Sequence, residues 1–160
     1  MAAESVWVLL AYRLPREPSN PRVVVWRKLR RLGAVQMVDG LVALPADART
    51  REQFDWLAEE IGEDGGEAWL WVGHPGSARQ ERGLASRMAA AVTEEYQAVV
   101  DEAMAATTMD PPARRRTLAK LRRELRRIGA RDFFPPAVRD QARVAVEALG
   151  QVESGSGASR

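Results

Sequence analysis

The sequence predicts an α+β protein, in which a four-stranded antiparallel sheet with two helices on one face precedes a helical segment. Two observations favour this class: four short apolar runs with strand character lie within the first half of the chain, and two segments with helical spacing separate them. A third is that the second half carries apolar residues at helical spacing. The chain has 160 residues, enough for one domain with or without an appendage.

The first strand is predicted over residues 5–12. Its even-numbered and odd-numbered side chains point to opposite faces, and both sets are apolar. Such a strand is expected to be covered on both sides. Pro15, Pro18 and Pro21 predict a loop over residues 13–21.

Residues 22–32 predict the first helix, which Gly33 ends. Its apolar face is expected to hold Val25, Trp26, Leu29 and Leu32. Residues 34–45 predict a β-hairpin, because an Asp39-Gly40 pair between two apolar runs is a strong turn signal.

A capping box of Thr50 and Gln53 is predicted to open the second helix, which runs to about Ile61. Its expected apolar positions are Phe54, Trp56, Leu57 and Ile61. Residues 67–72 predict the fourth strand, and the alternation places Trp69 and Trp71 together on one face.

The resulting order, β-α-β-β-α-β, is that of the ferredoxin-like fold, here expected over residues 5–75. The sheet face away from the two helices is also apolar on the first and last strands. Either the rest of the chain or a second subunit must cover it. We expect a homodimer, in which the second subunit would serve.

Residues 76–150 predict a helical extension that packs on the ferredoxin-like domain as part of one compact unit. One helix is expected over residues 79–106, a second over 113–128, and a short third helix to about Leu149. Residues 151–160 are small and polar, and they predict a disordered tail. The apolar stripes of the first two helices are Leu84, Met88, Val92, Tyr96, Val99 and Ala103, and Leu118, Leu121, Leu125 and Ile128.

The net charge of +2 conceals a strong asymmetry along the chain. Residues 1–46 carry a net charge of +4, residues 47–102 carry −8, and residues 103–160 carry +6. Arginine supplies 22 of the 24 cations, and an arginine fork suits carboxylate and phosphate groups. A high-GC genome would give the same arginine content without selection for binding.

The composition excludes several classes of protein and site. The chain has no cysteine and one histidine, His74, which excludes disulfides, thiolate nucleophiles and His- or Cys-based metal sites. The sequence shows no apolar run long enough to span a bilayer and no cleavable signal pattern, so we expect a cytoplasmic protein without membrane contact. No paired carboxylates stand out, and we expect no catalytic residues, no metal, no cofactor and no enzyme activity.

Two basic helices are the candidate binding elements. Residues 113–131 hold nine cations and one acid, and such a helix binds phosphates or other anions, or is neutralised by the acidic middle of the chain. Arg16 and Arg22 flank the proline-rich loop, where an oxyanion could sit beside the first helix, although an ordinary exposed face is the commoner explanation of such cations. The candidate residues for nucleic-acid or anion binding are Arg22, Arg27, Lys28, Arg30, Arg31, Arg114, Arg115, Arg116, Lys120, Arg122, Arg123, Arg126 and Arg127.

Two aromatic pairs have competing interpretations. Trp69 and Trp71 are able to stack on bases, but paired tryptophans on a sheet are more often part of a core or a dimer interface. Phe133 and Phe134, between Asp132 and two prolines, are expected to anchor a loop in the core.

Several segments together resemble a known family. Residues 7–15 (WVLLAYRLP), residues 22–34 (RVVVWRKLRRLGA) and the hairpin ending in ALP at 43–45 resemble the N-terminal domain of the chromate resistance protein ChrB. Residues 122–128, followed by ARDFF at 130–134, are similar to the basic helix and the RDFF or RDYF end of that domain. The resemblance covers roughly residues 5–136.

The resemblance implies a cytoplasmic, DNA-associated transcriptional regulator that responds to chromate, a small dianion suited to arginines. Full-length ChrB has a further C-terminal domain, and this chain ends shortly after the resemblance does. An alternative from the residues themselves is a non-catalytic dimeric interaction module that lacks DNA binding.

A more distant likeness extends to the phenylacetate-pathway repressor PaaX and to the CRISPR adaptation nucleases. Those nucleases are expected to place a metal-binding aspartate at the end of the first strand. That strand here ends with Ala11, Tyr12 and Arg13. A Mg²⁺ site would lack this ligand, so we do not expect nuclease activity.

Overall fold

The structure is a computed structural model that describes residues 5–157. The chain divides into two compact units, of which the first ends at Ala85 and the second begins at Ser86. The elements are β1 (Trp7–Arg13), α1 (Asn20–Leu32), β2 (Val35–Val38), β3 (Leu41–Pro45), α2 (Ala48–Glu63), β4 (Glu67–Gly73), α3 (Ala78–Ala106), α4 (Pro111–Gly129) and α5 (Val138–Gly157).

The sheet of the first unit has the order β2-β3-β1-β4, and every neighbouring pair is antiparallel. This is the predicted α+β, ferredoxin-like order. Central strand β1 buries Val8 and Leu10 completely. Helix α2 packs against β1 and β4, and α1 packs against α2. The predicted fold class is therefore confirmed.

The turn between β2 and β3 requires a glycine. Gly40 has φ +73°, and its carbonyl accepts a 2.8 Å hydrogen bond from the backbone N–H of Tyr12. A Cβ at this position would lie 2.6 Å from the Tyr12 carbonyl oxygen. The Asp39-Gly40 turn is thus held against β1, which confirms the predicted hairpin and places its tip beside the start of the loop to α1.

Two tryptophans expected on apolar helix faces are exposed instead. Trp26 is 50% exposed, and Trp56 is 62% exposed. Each lies about 100°, the rotation of one helical residue, from a buried neighbour: Trp26 comes one residue after Val25, and Trp56 comes one residue before Leu57. A tryptophan at the flank of the stripe therefore extends outside the core.

Helix α2 begins one turn before the predicted capping box. Asp47 is the N-cap, and its carboxylate accepts a 2.7 Å hydrogen bond from the backbone N–H of Thr50. The Thr50 hydroxyl in turn accepts from the backbone N–H of Asp47 and donates to the carbonyl of Pro45. Thr50 thus fills the third helical position of the box and is fully buried, which corrects its predicted place as the N-cap.

The core of the second unit joins the later part of α3 with α4 and α5. The predicted stripe positions of α3 are all buried, and Leu118, Leu121 and Ile128 of α4 are buried as well. Leu125 is partly buried and packs against the same cluster. The apolar faces predicted for these two helices are therefore confirmed, while the packing of the extension on the sheet stays a prediction.

The last helix is longer than the sequence predicts. Helix α5 continues past Leu149 to Gly157, so residues 151–157 of the expected disordered tail are helical. The physical reason is a long-range ion pair, because Glu153 contacts two arginines of α4. Residues 158–160 of the predicted tail lie outside the described residues. Within residues 5–157, no helix combines the length and apolar character needed to cross a bilayer.

Candidate anion-binding surfaces

Helix α4 presents its cations because its start and its apolar stripe are both well defined. Asp110 is the N-cap, and its side chain accepts a 3.3 Å hydrogen bond from the backbone N–H of Ala113. Pro111 and Pro112 occupy the first turn, where a missing N–H costs little. The leucine stripe turns toward the unit's core, so most of the remaining positions of the helix, Arg114 excepted, face solvent or are partly exposed.

We call the exposed cations of this helix the α4 basic face. Its members are all exposed, and they occupy the side of the helix opposite the apolar stripe and one flank of it. The face comprises Arg115, Arg116, Lys120, Arg122, Arg123, Arg126 and Arg127.

Carboxylates neutralise part of the α4 basic face. Lys120 pairs with Glu102 at 2.8 Å, Arg127 with Glu124 at 3.1 Å, and Arg115 with Glu153 at 3.1 Å. Within residues 5–157, no ion pair involves the other four cations of the face, which are Arg116, Arg122, Arg123 and Arg126. Compensation by acids is therefore real but incomplete.

Arg114 has a different role from the one the sequence predicts. The residue is 7% exposed, and its Nε donates to Glu153 at 2.9 Å while its Nη1 donates to the carbonyl of Met109 at 3.2 Å. A buried guanidinium with these partners is not available to an external anion. Arg114 joins α4 to α5, so its prediction as a binding residue is wrong.

The cations of α1 are less compensated than those of α4. Arg22, Arg27, Arg30 and Arg31 are exposed, and the half-buried Lys28 pairs with Glu60 of α2. The Arg30 guanidinium lies over the ring of Trp26, 4.9 Å from its centroid. This cation–π contact orients one arginine, and Arg22, Arg27 and Arg31 have no ion pair within the described part of the chain.

A cavity of about 990 Å³ opens between the end of β1, the start of α1 and the β2–β3 turn. Three of its lining residues are cations, namely Arg13, Arg16 and Arg22, and one is an acid, Asp39. We call it the α1 cavity. The sequence predicts Arg16 and Arg22 at such a site but not Arg13, whose place beside them depends on the strand register.

Tyr12 lines the α1 cavity, and its pKa depends on burial and on the charges beside it. Burial and, to a smaller extent, the Asp39 carboxylate raise the pKa of Tyr12, while Arg22 opposes them. The Tyr12 hydroxyl therefore stays protonated at neutral pH and is able to donate a hydrogen bond.

Ser19, the N-cap of α1, also lines the α1 cavity, and its side chain makes no capping hydrogen bond.

The tryptophans on the sheet face away from the two helices differ in burial. Trp7 is 1% exposed, and its indole N–H donates a 3.4 Å hydrogen bond to Glu81 at the start of α3. On edge strand β4, Trp69 and Trp71 are 68% and 65% exposed. The two tryptophans are thus not core residues of the first unit.

In the second unit, Tyr96 anchors the segment after α4. Its hydroxyl donates a 2.8 Å hydrogen bond to Oδ2 of Asp132, and Arg131 pairs with Glu95. Burial, followed by this hydrogen bond and the charge of Asp132, raises the pKa of Tyr96 to about 12. Phe133 and Phe134 follow Asp132 directly in the sequence, and both are half-buried.

The end of β1 carries an ion pair. Arg13 pairs with Glu67 at 2.8 Å, and both side chains are largely exposed.

Among the residues that the structure describes, no three His, Asp or Glu side chains are grouped so as to hold a metal ion. His74 is exposed, with its Nδ1 3.2 Å from the Ser5 carbonyl.

Comparison with known proteins supplies a family for this arrangement. The sequence model of the family described as "Protein ChrB, N-terminal" matches residues 22–108. A protein named "Protein ChrB" from Cupriavidus metallidurans is 30% identical over 138 residues. That alignment covers 82% of this chain and 41% of the relative, so the chain spans less than half of the relative's length. No solved structure matches the chain.

Proposed function

The chain belongs to the family of ChrB N-terminal domains, and from that membership we propose that it is a DNA-associated regulator of chromate resistance. The α4 basic face is its phosphate-binding surface. The observation that carries this proposal is that all seven cations of the face are exposed and four of them have no ion pair within residues 5–157. The proposed place of action is the cytoplasm.

Phosphate binding by these cations has a measurable signature. Each phosphate that a cation neutralises releases condensed counterions, so the logarithm of the affinity falls with the logarithm of salt concentration by about 0.9 per phosphate. Cations already paired with carboxylates contribute less, because part of their field is cancelled. The four unpaired arginines therefore predict a slope near −3.6, or about four times 0.9.

The test is a salt titration of DNA binding. Fluorescence anisotropy with a labelled duplex from upstream of the chain's own gene is measured between about 50 and 200 mM salt, the range over which phosphate contacts weaken strongly. The triple variant R116Q/R123Q/R126Q is expected to bind more weakly and to lose about 2.7 from the magnitude of the slope.

A charge-matched control separates the α4 basic face from net charge. The variant R51Q/R79Q/R82Q removes three exposed arginines outside α4. It is expected to keep the wild-type slope. Salt-insensitive or absent binding to the upstream duplex, or equal losses in the two triple variants, would contradict the proposal.

The proposed response to chromate is binding and not catalysis. Each of the two basic helices carries several exposed guanidinium groups, and such groups bind anions. Chromate is a small dianion, so its binding would alter the charge of a basic surface directly. A chromate titration of the preformed DNA complex is expected to change the anisotropy more than sulfate at the same ionic strength.

One observation favours a second candidate, a homodimeric interaction module without DNA binding. The exposed Trp69 and Trp71 lie side by side on an edge strand, and two large apolar side chains at one edge are a feature of protein interfaces. Light scattering across a concentration series tests it: a dimer that W69S/W71S dissociates, together with absent DNA binding, would favour this candidate. A monomer at all concentrations would contradict it.

A further inference from the structure

The α1 cavity is a concave site with an excess of positive charge. Three guanidinium groups and one carboxylate line it, and its volume is about 990 Å³. A volume of this order is at the upper end of the range for small-molecule sites. Its walls come from separate chain segments, which the β1–β3 register and the Gly40 turn hold together.

The charges of the cavity are unequally engaged. Arg13 already pairs with Glu67, which lies outside the cavity lining. The Asp39 carboxylate accepts a 3.3 Å hydrogen bond from the Gln36 amide. Arg16 and Arg22 have no ion pair in the described part of the chain, so two guanidinium groups remain to bind an anion.

Neutral groups of the cavity complement these two arginines. The half-buried Tyr12 keeps its hydroxyl proton and supplies a donor without adding negative charge. Trp26 contributes an exposed aromatic ring to the same lining. The Arg30 guanidinium lies over this ring.

We propose that the α1 cavity binds a tetrahedral oxyanion group through Arg16 and Arg22, with the Tyr12 hydroxyl as a neutral donor. This inference rests on the proposed function in one respect, since it would be the site at which a regulator of chromate resistance meets its dianion. Paired guanidinium forks match the oxygens of such a group.

The size of the cavity leaves two sources for that group. A free inorganic dianion such as chromate or sulfate would occupy a small part of the volume. A nucleoside monophosphate would place the same tetrahedral group on the arginines and its base near Trp26, where base–aromatic stacking contributes to affinity. Both sources share the chemistry that Arg16 and Arg22 recognise, and the probes below separate them.

Isothermal titration calorimetry of the full chain tests the site with chromate, sulfate and adenosine monophosphate as separate probes. The variant R16Q/R22Q is expected to lose about tenfold or more in affinity for the tightest probe, because each charged hydrogen bond contributes substantially. The matched control R27Q/R31Q removes the same charge from α1 at positions outside the cavity, and we expect it to stay within about twofold of the wild type.

The outcomes decide both the site and the source. Chromate and sulfate binding more tightly than the nucleotide identifies an inorganic oxyanion, and the reverse identifies a phosphate ester. No binding of any probe to the wild type, or equal loss in the two variants, overturns the inference.

The DNA titration of α4 is independent of this result. R16Q/R22Q is expected to retain DNA binding. A variant that loses anion binding but still binds DNA would therefore place the anion site in the α1 cavity and the DNA contact elsewhere. Failure of DNA binding with intact anion binding would remove the proposed DNA contact and leave the oxyanion site standing.

Discussion

Helices α1 and α4 are both rich in arginine, but their electrostatic surroundings differ. Each has proline in its first turn and two arginines in its last. In α4 the Asp110 side chain caps the start and carboxylates engage four cations, whereas α1 has an N-cap without a side-chain hydrogen bond and a single ion pair, Lys28 with Glu60. These ion-pair counts refer to residues 5–157.

An arginine-rich helix therefore has no fixed role. The partners of the α4 cations include Glu102 of α3 and Glu153 of α5, neither of which is near them in sequence. Through these ion pairs, part of the basic helix holds α4 against its neighbours instead of facing a ligand. The cations around the start of α1 face a cavity instead, where carboxylates are fewer.

The largest expected effect comes from breaking the structural part of α4. Glu153→Gln would leave the Arg114 guanidinium buried without a carboxylate, and removing one partner of a buried pair costs about 3–5 kcal/mol. Urea denaturation measures this loss in the free energy of unfolding. The control Glu102→Gln breaks the exposed pair with Lys120 and should cost at most about 1 kcal/mol. Equal costs would show that Arg114 is not the structural cation described above.

A second change acts on the α1 side alone. Gly40→Ala would force a side chain into a positive φ and place its Cβ 2.6 Å from the Tyr12 carbonyl oxygen. We expect a loss of about 2–3 kcal/mol in the free energy of unfolding, measured by thermal or urea denaturation. Gly62→Ala is the control, because that helical position has open space. A Gly40 variant as stable as the Gly62 variant would contradict the close approach of turn and strand.

The two tyrosines report on the two regions separately. The pKa of Tyr96 is about 12 and that of Tyr12 is raised above 10.0, so both rings should ionise later than in the unfolded chain. A raised folded pKa stabilises below the unfolded value, so stability is full below pH 10 and falls as pH rises toward about 12. Tyr96 contributes up to about 2 kcal/mol to this loss.

Ultraviolet titration of tyrosinate, compared between the wild type and Tyr12→Phe, assigns the two transitions. The phenylalanine variant should retain the later transition alone. A Tyr96 transition near pH 10 in the folded protein would show that the bond to Asp132 is weaker than its geometry indicates.

The smallest expected effect compares paired and unpaired cations within the α4 basic face. Arg123→Gln should reduce the magnitude of the DNA salt slope by about 0.9, whereas Lys120→Gln should reduce it less because Glu102 already offsets that charge. Anisotropy titrations at several salt concentrations measure both. Equal reductions would mean that the ion pair with Glu102 opens when DNA binds.

Local patterns were sufficient for most of the fold. The alternation along β1 and β4, the Asp39-Gly40 turn and the helix stop at Gly33, which has φ 79°, are each set by neighbouring residues. Boundaries set by distant partners were not predictable in the same way. Helix α5 continues through Glu153 because that residue meets arginines 38 and 39 positions away, and a small, polar composition does not reveal such a contact.

Periodicity and charge are local properties, so the sequence alone is enough to predict the order of the elements, the apolar faces of α3 and α4 and the concentration of cations on two helices. Which cations bind carboxylates and which remain for a ligand depends on how the chain folds. Arg114 and Arg22 look alike in the sequence, yet one is buried against α5 and the other lines a cavity that the β2–β3 turn borders. The reason is that the field around a cation depends on acids brought near it by folding, and those acids lie far away along the chain.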